Sequence, residues 1–272
     1  LPISIGRFGG NVSLPIKGIQ FGLNIELYDR LVEKKIDPFN LLLEILKKIK
    51  RKQMPILILD EIQTLQDIYM NGELKKKHLL TEFLNFLVSL TKETHLAHVV
   101  VMTSETLFLE KIYNHSKLAK TSDFYKIDHF DQDTVQRWFE HEGVYEENMF
   151  NLVREYFGGA AIDLIRPINL LKSNRLQELK EHLNEQAKIY RGKISLFIAD
   201  ELDTEEEMEK CEEILRYVVN NGFIIRNSRD KVQGKILKKA IEKEFLFFDP
   251  ADEKIIFNSQ IVKKGAEMYL EK

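Results

Sequence analysis

Two short apolar runs, each followed by polar side chains, are the clearest feature of the hydrophobic pattern. Residues 54–59 and 97–102 are almost continuously apolar and too short for typical helices. Runs that are polar on neither face are typical of strands buried in a parallel sheet. A weaker run at residues 124–127 is interpreted as a third strand.

Apolar residues elsewhere recur at helical spacing. The predicted helices cover residues 37–52, 76–91, 134–140 and, with breaks at Gly158-Gly159 and near Pro167, residues 148–187. Residues 1–28 contain five glycines between short alternating runs, which favours a β-hairpin. The alternation of strands and helices predicts a parallel α/β core followed by a helical lid or linker.

The C-terminal part shows another order of elements. An acidic stretch at residues 200–213 opens a helix that is expected to end at Asn221-Gly222, where glycine permits a left-handed cap. A helix at 234–243 then precedes two strands, 245–248 and 254–257. Helix, helix, strand, turn and strand is the order of a winged helix.

We therefore predict three units: a partial α/β core at residues 1–145, a helical subdomain at 146–199 and a winged-helix domain at 200–272. The composition fits a folded protein, with 44% hydrophobic and 31% charged residues. Cys211 is the single cysteine, which excludes an internal disulfide and favours a reducing compartment, so we expect the cytoplasm.

Charge and hydropathy exclude some classes of partner. The formal net charge of −3 provides no general attraction to nucleic acid or to an anionic membrane, so any such contact requires a local patch. No apolar run reaches the roughly 18–20 residues that a membrane-spanning helix needs. We expect no membrane association.

Two adjacent acids follow the first apolar run, which gives it the form of a Walker B segment. The carboxyl edge of a parallel sheet is where ligands bind. Asp60 is the candidate to hold Mg²⁺ through water, since this ion prefers oxygen ligands and retains waters. Glu61 is the candidate to activate the water that attacks the γ-phosphate of ATP. The alternative is a strand that ends in two solvated acids.

Two hydroxyl side chains, Thr103 and Ser104, follow the second apolar run. Either is a candidate to contact the γ-phosphate, because the end of a neighbouring strand would face the same edge as Asp60. The alternative is a hydroxyl that caps the turn after a strand. The pairing with Asp60 is what favours the phosphate contact.

These residues resemble the archaeal ATPase family of the STAND and AAA+ type. The segments that carry the resemblance are Leu59-Asp60-Glu61-Ile62-Gln63, residues 68–72, 83–85 and 90–99, Thr103-Ser104, Tyr156-Phe157-Gly158-Gly159 and Phe247-Phe248-Asp249-Pro250. The resemblance implies an ATP-binding domain with Mg²⁺, a small helical subdomain and a C-terminal winged helix. It also implies association with DNA or mobile elements.

The sequence departs from the family at one essential motif. No G-x-x-x-x-G-K-[ST] phosphate loop is present, and Gly6-Arg7-Phe8-Gly9-Gly10 lacks the lysine and hydroxyl that would replace it. The expected core therefore lacks its first strand and phosphate loop. Either the loop precedes Leu1 in a longer protein, or the protein has lost it and binds no nucleotide; the intact acid pair favours the first.

A group of basic residues in the C-terminal part offers a local patch for nucleic-acid phosphates. Its candidate members are Arg226, Arg229, Lys231, Lys235, Lys238 and Lys239. The alternative is a solvated helix face, because the nearby acidic stretch offsets the charge and winged helices also bind proteins.

Two hypotheses result. The first is a Mg²⁺-dependent ATPase in which nucleotide changes the placement of the winged helix. The second is a nucleotide-free module that binds DNA or a protein partner on an inactive ATPase scaffold. The sequence leaves the oligomeric state open and gives no candidate for an arginine contributed by a neighbouring subunit.

Overall fold

The computed structural model describes residues 38–65, 69–70, 77–105, 108, 122–227, 229–249 and 252–271. The helices are α1 (Pro38–Lys50), α2 (Leu79–Val88), α3 (Gln132–His141), α4 (Glu147–Phe157), α5 (Ala161–Lys172), α6 (Leu176–Glu201), α7 (Glu205–Asn221), α8 (Lys231–Glu242) and α9 (Gln260–Leu270). The strands are β1 (Ile56–Leu59), β2 (Tyr69–Met70), β3 (Lys77–His78), β4 (His98–Val101), β5 (Ile224–Ile225), β6 (Leu246–Asp249) and β7 (Lys254–Phe257). The hairpin predicted for residues 1–28 lies outside the described residues.

The predicted parallel sheet is confirmed by the pairing of β1 with β4. Leu59 lies opposite Val101, and the ladder continues beyond the strands because the Met102 N–H donates to the Leu59 carbonyl at 2.7 Å. Helices α1 and α2 pack on one face of the pair, around Leu46 and Leu84.

The expectation that both faces of β1 are buried is wrong for the described structure. Leu57 and Leu59 pack on the helical core, whereas Ile56 and Ile58 are 64% and 62% exposed. Side chains alternate across a strand, so helices that cover one face leave the other set in contact with solvent.

The third predicted strand, at residues 124–127, also differs. Residues 122–130 belong to no strand, since no described strand pairs with them, and Tyr125 and Ile127 are 84% and 90% exposed. The helix after this segment begins as expected, because the Asp131 carboxylate accepts a hydrogen bond from the Thr134 N–H at 2.8 Å.

Helices α3 to α5 and the first half of α6 form a second core. Its buried members include Phe139, Phe150 and Leu164. Pro167 does not break α5 as predicted but lies buried inside it. The proline removes one helical hydrogen bond, and the burial of neighbours such as Leu164 and Ile168 offsets that loss.

Helix α6 continues into a third core, where Ile194 and Phe197 meet α7, α8 and the C-terminal sheet. That sheet is antiparallel with the order β5-β7-β6. The predicted glycine cap is confirmed, since Gly222 ends α7 with φ of 83°. The sequence did not predict β5 or α9. No helix in the described ranges has the length and apolarity needed to cross a membrane.

Candidate functional site

The predicted acids and hydroxyls meet at the same edge of the parallel sheet. Asp60 and Glu61 directly follow β1, and Thr103 and Ser104 lie just beyond the end of β4. The two strands are neighbours in the same direction, with their last residues paired, so both sets leave the sheet together. The proximity that the sequence required is therefore present.

A chain of hydrogen bonds joins the two strand ends through Gln63. The Thr103 hydroxyl donates to the Gln63 side-chain oxygen at 2.7 Å. The amide nitrogen of Gln63 in turn donates to the Glu61 carboxylate. The Glu105 N–H donates to the Thr103 oxygen at 3.1 Å, which fixes the hydroxyl from the other side. Glu61 and Thr103 thus belong to one network.

Sequence reasoning assigned no role to Gln63. The only feature of the sequence that pointed to Gln63 was its position just after the acid pair, within the Leu59-Asp60-Glu61-Ile62-Gln63 segment. A side-chain amide can accept and donate at the same time, which neither an acid in its charged form nor an apolar side chain can do. The bridge becomes visible only once the register of β1 and β4 is known.

The backbone at Glu61 adopts a left-handed conformation, with φ of 53°. This conformation is uncommon for a residue other than glycine and costs about 1 kcal/mol, so its surroundings must hold it. The Thr64 hydroxyl donates to the Glu61 carbonyl at 2.8 Å, and Ile62 is buried. The Asp60 carboxylate accepts from the Glu61 N–H at 3.0 Å. These local contacts therefore hold the backbone from which both acidic side chains extend.

The exposure of these groups fits ligand binding. Asp60, Glu61 and Ser104 are exposed, and Gln63 and Thr103 are partly buried beneath them. An exposed carboxylate such as that of Asp60 would suit Mg²⁺, which takes few protein ligands and retains water. Within the described ranges, no three acidic, histidine or cysteine side chains gather as a metal cluster.

The glycine pair that resembles the family's helical subdomain has a packing role. Gly158 ends α4 with φ of 59°. Gly159 is buried, and its carbonyl accepts from the Phe130 N–H at 3.0 Å. A β-carbon on Gly159 would lie 1.8 Å from the Phe130 carbonyl oxygen. The glycine pair thus permits the segment that precedes α3 to pack directly against the end of α4.

The six candidate basic residues lie on elements other than those that carry Asp60 and Thr103. They are Arg226, Arg229, Lys231, Lys235, Lys238 and Lys239, in or just before α8. The Lys235 ammonium contacts the carboxylates of Asp203 and Glu207 at 2.7 Å each. Hydrogen bonds from Lys235 hold the pKa of both carboxyls below their ordinary values. Part of the predicted patch is therefore engaged within the unit itself.

Comparison with known proteins identifies a family that matches this chain. Residues 15–166 match the profile of an ATPase domain found predominantly in Archaea. The matched region is more than half of the chain and contains both strand ends and the Gln63 bridge. The chain belongs to this archaeal ATPase family.

Several relatives in the family carry the description of uncharacterized ATP-binding proteins. One from Methanocaldococcus jannaschii is 31% identical over 226 residues, which are 79% of this chain and 58% of the relative. A second from that organism is 32% identical over 244 residues, 85% of this chain and 66% of the relative. One from Pyrococcus abyssi is 40% identical over 136 residues, 50% of this chain and 39% of the relative. The chain spans less than two thirds of these family members, and no solved structure gives a significant match.

Proposed function

We propose that the protein binds ATP with Mg²⁺ and hydrolyses it at the edge of the β1–β4 sheet. The observation that carries this proposal is that Asp60 and Glu61 follow β1 at the edge where Thr103 and Ser104 follow β4, with Gln63 joining Glu61 to Thr103 by hydrogen bonds. Membership in the archaeal ATPase family and the ATP-binding relatives support it. We assign the described sheet to a P-loop core of the AAA+ and STAND type.

In this proposal each side chain has a separate task. Asp60 would hold Mg²⁺ through water, and the ion would neutralise charge at the phosphates. Glu61 accepts a proton from the attacking water. Thr103 or Ser104 supplies the hydroxyl at the γ-phosphate. Binding of this kind also needs a phosphate loop, and this sequence contains no such motif.

The test is a comparison of the full protein with its Glu61→Gln variant. Glutamine retains the shape of the side chain but is not a base, so we expect unchanged ATP affinity and a fall in kcat of about 100-fold or more. Glu93→Gln is the matched control, because it makes the same charge change at an exposed position outside the site. Equal turnover by Glu61→Gln and wild type would refute the catalytic assignment.

We also propose that the C-terminal unit is a winged helix whose placement responds to nucleotide. The sheet order β5-β7-β6, with α8 between β5 and β6 along the chain, supports the fold assignment. The Lys126 ammonium contacts the Asp249 carboxylate of β6 at 2.7 Å and lies over the Phe247 ring at 5.4 Å. The segment downstream of Ser104 thus touches the C-terminal hairpin, which supports coupling.

Coupling can be measured by hydrogen exchange of β6 and β7 in the full protein with and without Mg²⁺ and ATP. We expect nucleotide to change the exchange rates in wild type and to change them much less in Lys126→Met. Lys188→Met, at an exposed position of α6, is the control. The same nucleotide response in Lys126→Met as in wild type would contradict this route.

A second candidate function is a nucleotide-free module that binds DNA or a protein. The exposed Arg229, Lys231 and Lys238 near the start and along α8 favour it. It predicts DNA binding that needs neither ATP nor Glu61, and a shift assay on Glu61→Gln separates it from the first proposal.

A further inference from the structure

The two hydroxyls after β4 have different environments, and this difference permits a division of roles that the sequence leaves open. A threonine hydroxyl has one proton to donate. In Thr103 this proton goes to the Gln63 oxygen at 2.7 Å, and the Thr103 oxygen accepts from the Glu105 N–H at 3.1 Å. Ser104 is exposed at the same edge.

We propose that Thr103 and Gln63 form a positioning pair that orients the Glu61 carboxylate, and that Ser104 is the hydroxyl that contacts the γ-phosphate of ATP. This inference rests on the proposed hydrolysis at Glu61. It assigns Gln63 a role in the reaction and separates the functions of the two hydroxyls.

The direction of each hydrogen bond supports the pair. Because the Glu61 carboxylate only accepts, it takes the Gln63 amide nitrogen, and the amide oxygen then faces the Thr103 hydroxyl, which donates to it at 2.7 Å. Rotation of the amide by 180° about its last bond would place its oxygen against the Glu61 carboxylate, so that two acceptors would face each other. The Thr103 hydroxyl therefore holds the oxygen of the amide whose nitrogen donates to Glu61.

The pair is needed because the Glu61 side chain is exposed and otherwise free to rotate. A displacement of about 1 Å at a reacting group can reduce a rate about 100-fold. The left-handed backbone at Glu61 fixes the direction in which the side chain leaves the main chain, but it does not fix the position of the carboxylate. The Gln63 bond provides that second restraint.

The division of roles predicts different kinetic effects in the full protein. Gln63→Met has nearly the same shape but cannot hydrogen bond in this way, so kcat falls about 10- to 100-fold with the KM for ATP unchanged. Thr103→Val has the same effect on kcat, whereas Thr103→Ser, which keeps the hydroxyl, has the kcat of wild type. Ser104→Ala instead weakens binding of a non-hydrolysable ATP analogue about 10-fold or more, because it loses a hydrogen bond to a charged group.

Double variants test whether Gln63 and Thr103 act as one unit. Gln63→Met combined with Thr103→Val should lower kcat no further than the larger single effect, whereas independent residues would multiply their effects. Gln177→Met is the matched control, since Gln177 also donates to a glutamate, Glu181 at 2.9 Å, but on the exposed surface of α6. Its kcat should equal that of wild type.

A measurement that needs no ATP tests the bridge itself. In a ¹⁵N spectrum of the full protein, the Gln63 side-chain amide is the signal lost in Gln63→Met. Thr103→Val should move this signal and Ser104→Ala should not. Thr64→Val should also leave it in place, because the Thr64 hydroxyl contacts the Glu61 carbonyl at 2.8 Å rather than Gln63.

The outcomes separate this inference from the proposed function. Absence of ATP turnover in wild type refutes hydrolysis itself and, with it, the positioning role of the pair. Turnover in wild type with an unchanged kcat in Gln63→Met overturns only the positioning role. Weakened analogue binding in Thr103→Val but not in Ser104→Ala overturns the division of roles.

Discussion

Replacing Gly159 by alanine tests the contact between the segment that enters α3 and the end of α4. Gly159 is buried, and an added β-carbon would lie 1.8 Å from the Phe130 carbonyl oxygen and 2.7 Å from its carbonyl carbon. Both are backbone atoms, so no flexible side chain can move aside. The two segments must separate by on the order of 1.5 Å to reach an ordinary contact.

The expected decrease in the free energy of unfolding has two contributions. Separation breaks the hydrogen bond from the Phe130 N–H to the Gly159 carbonyl, which has a length of 3.0 Å, at a cost of roughly 0.5–1.5 kcal/mol. Overpacking of a buried site costs a further 1–3 kcal/mol or so. We therefore expect Gly159→Ala to lower the free energy of unfolding by about 2–4 kcal/mol.

Urea unfolding followed by circular dichroism measures this change. Gly192→Ala is the control, because Gly192 lies inside α6 and an added β-carbon would have no described atom within 4 Å apart from its chain neighbours and the nearby backbone of that helix. Alanine is favoured over glycine inside a helix, so Gly192→Ala should raise stability by about 0.5–1 kcal/mol. A Gly159→Ala variant as stable as wild type would refute the close approach of Phe130.

Three further predictions concern the C-terminal part. Burial raises the pKa of the Cys211 thiol to about 12, so a thiol reagent should modify it slowly in native protein and rapidly in urea. Asp203 and Glu207, whose pKa values lie below the ordinary 3.8 and 4.5 because Lys235 donates to them, stabilise the fold above those ordinary values. That stabilisation should disappear as the pH falls through the lowered values, and urea midpoints measured from pH 5 to about pH 3 should fall less steeply in Lys235→Met than in wild type. Gly265→Ala should cost about 1–3 kcal/mol in urea unfolding, because its β-carbon would lie 2.6 Å from that of Tyr190 on α6.

The hydrophobic pattern was sufficient to predict the elements that form the site. Runs at residues 54–59 and 97–102 were identified as strands, and their parallel pairing is confirmed. Because the pattern also fixes where each strand ends, it placed the acids and hydroxyls at one edge. Identification of Gln63 additionally needed the register and the side-chain directions, which periodicity does not contain.

The wrong expectations have a common cause in tertiary context. Pro167 usually marks a break, but burial of its neighbours keeps α5 continuous. An apolar run such as residues 124–127 predicts a strand only when another strand pairs with it, and none of the described strands does. The short β5 forms because it pairs with β7, where Ile255 lies opposite Ile224 of β5. Local sequence records none of these partners.

The charge arrangement around α8 determines how DNA binding must be tested. Lys235 contacts Asp203 and Glu207, and Lys239 lies 3.7 Å from Asp203. A change of Lys235 to glutamate would place a third carboxylate beside two others and damage the fold. Loss of binding in such a variant would then not distinguish DNA contact from local unfolding.

Lys231→Gln and Lys238→Gln avoid this problem, since Lys231 is exposed and Lys238 has only a long exposed contact with Glu242, at 3.7 Å. If α8 contacts DNA phosphates, each change should reduce the slope of log K against log salt by about 0.9 and weaken binding to all sequences alike. Lys188→Gln on α6 is the control and should leave the slope unchanged. Equal slopes for wild type and both α8 variants would exclude this face as a DNA contact, because each neutralised phosphate must release counterions that the salt dependence reports.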